Sequence, residues 1–424
     1  MRKNINKIIA FAIGISVMSG GIVPALAADS TQQTAVSTST TTNSQIVNGK
    51  PLITLDEAIK SAISISNTLA FDEQKISYQD KINDLNEKID DNNGKTNSDK
   101  KDLDSDTADT TLKQVKQQRD FDEDKLIQKT TTAYNGIVTS QMKIDKATKD
   151  LEVKTKQLND ANLKKGLGII TATDLTNTQL QIESLQNSLK ASKNALNDSI
   201  ASFKVLTGKD VSQYSLEQDI KYDTFKIDGS VDGYLDNAID NFEKYTEQLI
   251  KLNKDYLKDN EVKEPSKQAE VDVPSEPKFT STSDAADISK YLTDYQNYQN
   301  ALAASQAYAA GLSQRITYLN SKLGVYQNET NLTETKKKFK DQLRTFYTNL
   351  LSTEDSITTL KKNIELNNKQ LSDAKLKYDL GMMTKSDYDA LVVNSKDLEI
   401  QLRTLIDSYN TLKEEIQKPW IAFS

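Results

Sequence analysis

Two eleven-residue stretches, "KKGLGIITATD" from Lys164 to Asp174 and "KYDLGMMTKSD" from Lys377 to Asp387, align without a gap 213 residues apart. Each sets a glycine three residues before a threonine and a carboxylate three residues after it. Carboxylates can serve as acid–base groups or metal ligands, yet the chain holds no histidine and no cysteine. That removes the usual general base, the thiolate nucleophile and the commonest metal ligands. No spacing of Asp or Glu marks a site, so the chain reads as non-enzymatic, without catalytic, cofactor-binding or metal-ligating residues.

The chemistry these residues do fit is that of helix ends. Gly168 and Gly381 suit the left-handed residue just past a helix terminus. Thr171 and Thr384 stand where N-caps belong, and Asp174 and Asp387 complete capping boxes at the positive end of the next helix. Each stretch is therefore expected to be the turn of an αα-hairpin. Capping leaves Ile169, Ile170, Met382 and Met383 unexplained. Apolar side chains at an extended tip have little core to enter, so they are read as a docking surface.

The elements that hold these turns must be long. Glycine (14) and proline (6) are scarce in 424 residues, which favours uninterrupted helices. Heptad spacing runs through Ile137, Ile144, Leu151 and Leu158, then through Leu175, Ile182, Leu189, Leu196 and Phe203. It recurs in Leu350, Ile357, Ile364, Leu371 and Tyr378, and on a return arm in Leu391, Leu398, Leu405 and Leu412. Steps of seven mark antiparallel coiled-coil seams. Residues 151–174 and 364–387 share 12 of 24 positions, which makes the chain an internal duplication. The fold class is all-α, with two long antiparallel coiled-coil hairpins and little or no β.

Residues 1–27 read as a secretory leader: Arg2, Lys3 and Lys7, an apolar run, then Ala25-Leu26-Ala27. The remainder carries 51 Lys+Arg against 61 Asp+Glu, a net charge of −10 that argues against nucleic acid. A disordered Ser/Thr tether is expected over 28–50 and a first helical repeat over 51–208, opened by a capping box at Thr54 and Glu57 with Ile53 stapling to Ala58. One helix is expected from there to about Lys88, then a polar loop, then a helix from about Asp109. A linker over 209–230 leads to a second repeat over 231–418, interrupted by a polar, Pro-rich insertion at 258–284. Gly311 and Gly324 are candidate bend sites in the long helix that follows.

These features together resemble the TolC-like outer-membrane efflux protein family. The resemblance rests on Lys164, Gly168, Thr171 and Asp174, on Lys377, Tyr378, Gly381, Thr384 and Asp387, and on the "ITLDEAI" start at Ile53. It implies a TolC-like α-barrel protomer, a homotrimer, and an exit duct for efflux or secretion. It also implies a periplasmic-type adaptor at the tips, coupled to an inner-membrane pump. On that view Leu167, Gly168, Ile169 and Ile170, with Leu380, Gly381, Met382 and Met383, form the adaptor-docking tips. Tyr378 and Asp387 match the entrance constriction, although a companion acid is replaced by Ala390 and the tyrosine's basic partner by Met383. The family's membrane strands have no counterpart here, because the corresponding segments are acidic, polar and Pro-rich, which lipid does not accept. The expected location is the cell envelope, reached by export, without direct membrane spanning. A surface or envelope coiled coil with a structural or adhesive role is the alternative.

Overall fold

The computed structural model describes residues 46–47, 49–92, 98–266, 270–280 and 284–423. The leader and nearly all of the expected tether lie outside them. The tether's last residues do not stay unstructured: Ile46–Val47 (β1) pairs antiparallel with Lys50–Ile53 (β2), and β2 pairs in parallel with Ser215–Leu216 (β3). Otherwise the described chain is helical: Leu55–Ser64 (α1), Asn67–Asn92 (α2), Ser98–Gly166 (α3), Ala172–Thr207 (α4), Val231–Asp259 (α5), Ala285–Asp379 (α6) and Lys385–Gln417 (α7).

Local chemistry accounts for the boundaries. Thr54 Oγ1 accepts from Glu57 N–H at 3.2 Å while Thr54 N–H donates to Glu57 at 3.1 Å, closing the capping box that opens α1. The single helix expected to Lys88 is broken instead at Ile65–Ser66, where Ser66 Oγ accepts from Leu69 N–H at 3.3 Å and restarts the helix as α2. The expected polar loop before Asp109 is mostly helix. Its Asp, Lys, Ser and Thr are compatible with a solvated helix, and Lys100 pairs with Asp104 one turn on while Lys101 reaches Asp91 at 3.0 Å. The long helix α6 runs unbroken through Gly311 and Gly324.

α6, with 95 residues, and α3, with 69, are the longest elements. In the half carrying the twin turns, α4 packs on α3, α3 on α7 and α7 on α6; in the other half the order is α2, α3, α5, α6. Each half is thus one layer four helices wide, with α2/α4 on one edge and α6 on the other. Two apolar clusters sit near mid-height. The first joins Ile53, Ala58, Tyr134, Ile137, Val138, Phe203, Val211 and Leu216; the second joins Leu235, Ile239, Leu343, Leu350, Ile357, Ile406, Tyr409 and Ile416.

The linker at 209–230 is a packed strap, not a spacer. Phe225 N–H donates to Tyr409 Oη at 2.6 Å, and Ile220, Tyr222 and Phe225 cover the second cluster. On α4 the heptad residues Leu175, Ile182, Leu189 and Phe203 are buried as the spacing predicts. On α7 they are not the main core residues, since Leu391 is exposed and Leu398, Leu405 and Leu412 are half-buried. Val393, Ile400, Ile406, Tyr409 and Ile416 are buried instead. Ile406, Tyr409 and Ile416 join residues of α5 and α6 in the second cluster, and α7 also packs along α3, so its core residues are set by more than one neighbour.

Candidate functional site

The two turns are built alike. Gly168 and Gly381 have φ 73° and 72°, the left-handed region in which a side chain is strained. Ile169 N–H donates to Lys164 O and Gly168 N–H to Lys165 O, both at 2.9 Å; Met382 N–H donates to Lys377 O at 2.8 Å and Gly381 N–H to Tyr378 O at 2.9 Å. This doubled pattern is the Schellman ending, which satisfies carbonyls the helix would leave open. Thr171 Oγ1 and Thr384 Oγ1 each accept from the N–H of the aspartate three residues on at 3.1 Å, and each hydroxyl donates to that carboxylate at 2.7 Å. Hydrogen bonds from the Thr171 side chain and backbone hold the Asp174 carboxyl below the usual range.

These rigid turns present apolar side chains to solvent in matched sets. Leu167, Ile169, Leu380 and Met382 are exposed, while Ile170 and Met383 turn back and are half-buried. Leu163 and Leu376, one turn earlier in α3 and α6, are exposed as well. The sequence reading missed this pair, although the duplication signals it, since they stand at equivalent places before Leu167 and Leu380. The tips emerge side by side, because α3 and α7 are bridged close to them by Lys156–Asp389 at 3.5 Å and Lys146–Asp397 at 2.9 Å.

Tyr378 and Asp387 are engaged within their own hairpin. The Tyr378 ring stacks on Tyr388 with centroids 5.6 Å apart, and Lys375 Nζ lies 5.2 Å from the Tyr378 centroid. Asp387 is taken up by the Thr384 cap.

A second feature lies along the edges. Apart from the tip residues, large exposed apolar side chains of the helices concentrate on the two edge columns. Phe71, Tyr78, Ile82, Leu85 and Ile89 lie on α2 and Leu180 and Val205 on α4, facing away from the layer; Ile316, Leu323, Leu351 and Leu366 lie on α6. The inner helices α5 and α7 contribute only Leu391 among the described residues. The alternating steps of four and three on α2 were the available sequence signal.

This arrangement of long helices matches the helical fold of TolC-like outer-membrane channels. Solved structures with this fold include the CmeC outer membrane channel of Campylobacter jejuni, 12% identical, covering 94% of this chain and 94% of that one with a TM-score of 0.53. The outer membrane protein VceC of Vibrio cholerae is 9% identical, covering 86% of this chain and 96% of that one with a TM-score of 0.54. CusC, a transmembrane channel, is 11% identical over 86% of this chain and 91% of that one, with a TM-score of 0.53. No protein-family model matches the sequence, and no curated protein does. Between α5 and α6 the described residues 261–266 and 270–280 form neither helix nor strand. Among the described residues no helix is long and apolar enough to cross a membrane.

Proposed function

We propose that this protein is the exit-duct component of an efflux or secretion system. Three exported copies close edge to edge into a helical tube, and the twin tips meet an adaptor that couples to an inner-membrane pump. The observation that carries the reading is the concentration of the helices' exposed apolar side chains on the two opposite edges and the tips. A head-to-tail contact between α2/α4 of one copy and α6 of the next buries both edges, and rotation closes the ring. At the entrance, Leu163, Leu167 and Ile169 with Leu376, Leu380 and Met382 supply two small apolar platforms for a helical hairpin. The solved channels with this fold support the duct.

Light scattering on residues 28–424 tests the proposal. The expected mass is three chains, with a hollow particle in negative stain. Leu180→Asp and Leu366→Asp, on opposite edges, should each give monomers of unchanged helicity. A wild-type chain that stays monomeric at high concentration, with no hollow particle, overturns the duct and leaves the envelope rod.

A further inference from the structure

Helix α2 shows a mostly polar side to its own chain. Its packing partner is α3, and the covered positions are Leu69, Asp72, Ile76, Gln79 and Asn83. Of its 26 residues only Leu69 and Asp72 are buried. Asn83 Nδ2 donates to Ala108 O of α3 at 3.1 Å, and Gln79 Nε2 donates to Asn83 Oδ1 at 2.9 Å. The apolar residues Phe71, Tyr78, Ile82, Leu85 and Ile89 form a separate stripe, between 49% and 63% exposed. That stripe lies roughly a third of a turn round the helix from Asp72. Helices in proteins draw most of their stability from packing an apolar face, and α2 leaves that face open.

Asp72 marks the weak point of the contact. It is 7% exposed, and its Oδ2 is buried with no hydrogen-bond partner among the described residues. The charged groups around it are Asp122 and Arg119 of α3 and Lys75 and Glu73 of α2. Arg119 is engaged by Glu73 at 2.8 Å and by Glu123, and Asp122 by Lys125 at 3.5 Å. Burial, and after it the Asp122 charge, push the Asp72 carboxyl up, while Lys75 and Arg119 act the other way. A carboxylate held in this way weakens the α2–α3 contact.

The internal duplication shows what α2 lacks. In the second repeat its place is held by α5, where "YLDNAI" from Tyr234 stands against "TLDEAI" from Thr54. α5 packs on α6 as α2 packs on α3, but α5 has α3 on its other side as well. There Gln117 Nε2 donates to Asn241 O at 2.9 Å, and the Phe121 ring meets Phe242 edge-on at 5.5 Å. α3 and α6 are themselves counterparts, so the helix to cover α2 as α3 covers α5 is the α6 of a neighbouring copy. Seven acids against three lysines in α2 disfavour an anionic membrane as the cover.

We propose that α2 is an assembly-dependent element: in a lone subunit it opens readily from α3, with Asp72 keeping the contact loose, and it is fixed when a neighbouring copy's α6 covers the stripe from Phe71 to Ile89. The inference rests on the reading of the protein as an assembly of copies, but it concerns the order of one helix rather than the existence of the ring.

Hydrogen exchange read by mass spectrometry on residues 28–424 tests it. In the monomers expected of Leu180→Asp and Leu366→Asp, both in the tip half, amides of residues 67–92 should exchange roughly ten-fold faster than in the wild type. Residues 231–259 of α5 should be unchanged. Asp72→Leu added to either monomer should slow exchange over 67–92 without restoring the trimer, and Asp72→Asn should give part of that slowing. A trimeric wild type whose monomeric variants protect 67–92 equally well overturns the inference and leaves the duct standing. So does a monomer in which Asp72→Leu slows nothing. A wild type that is itself monomeric overturns both. Protection of 67–92 gained from phosphatidylglycerol vesicles, with none gained on trimerisation, also overturns the inference, since the stripe would then serve lipid.

Discussion

Arg403 of α7 and Asn135 of α3 meet in the seam between the two repeats, with Nη2 donating to Asn135 Oδ1 at 2.9 Å. Asn135 Nδ2 passes the chain on to Asp407 Oδ1 at 2.7 Å, and Arg403 Nη1 also donates to Gln218 O. Arg403 is 4% exposed, and burial pulls its guanidinium down while pushing the Asp407 carboxyl up. A buried ionic group tolerates this setting only while its hydrogen bonds are kept.

Asn135→Ala should therefore cost about 3 kcal/mol in urea unfolding, because it strands a buried charge. Replacing the whole network, as Asn135→Leu with Arg403→Met and Asp407→Leu, should recover most of that loss. A single-mutant cost near zero would show that the network does not hold the repeats together.

Tyr134 links α3 to the small sheet. Its Oη donates to Ile53 O at 2.8 Å and accepts from Glu217 N–H at 2.8 Å, and burial pushes its pKa up to about 12. The folded pKa lies above the unfolded one, so the contribution is fully present below pH about 10 and is lost as pH climbs towards 12. Tyr134→Phe should lower stability at pH 7 by about 1–3 kcal/mol through the unpaired Glu217 N–H. It should also flatten the alkaline side of the pH–stability curve, which thermal unfolding at pH 7 to 12 would read.

At the tips, Thr171→Ala and Thr384→Ala should each cost about 1 kcal/mol of local stability. Gly168→Ala and Gly381→Ala should cost about 1–2 kcal/mol, because their φ values of 73° and 72° strain any Cβ. The Asp174 carboxyl is held below its unfolded value, so its contribution is present above the ordinary carboxylate pKa and fades as pH falls. Amide exchange over residues 164–175 and 377–388 should quicken in these variants while the α3 and α6 cores stay unchanged. Uniform quickening along the chain would contradict the local reading.

Gly311→Ala removes a helix-destabilising glycine worth about 1 kcal/mol. Here, however, a Cβ would sit 2.9 Å from Pro265 Cγ, and a proline ring cannot swing aside without its backbone. The substitution should detach the segment carrying Pro265 rather than stabilise α6. Faster cleavage within residues 260–280 by a broad-specificity protease would report it; unchanged cleavage with a raised melting temperature would contradict it.

Sequence periodicity and helix-end chemistry determined much of this protein. The duplicated turns, the caps at Thr54, Thr171 and Thr384, the left-handed Gly168 and Gly381 and the α4 seam from Leu175 to Phe203 are local, so short-range rules suffice to read them. The tertiary structure decided what depends on neighbours distant in the chain. Val393 and Ile400 of α7 are buried where both α6 and α3 pack along that helix. The residues after Gly208 pack because Tyr409, 184 positions from Phe225, offers its hydroxyl. The same logic left Ile170 and Met383 half-covered and Leu163 and Leu376 bare, since exposure at a tip depends on how the hairpins lie side by side. Spacing along one helix defines a face; which face meets a partner is settled only when the other helices take their places.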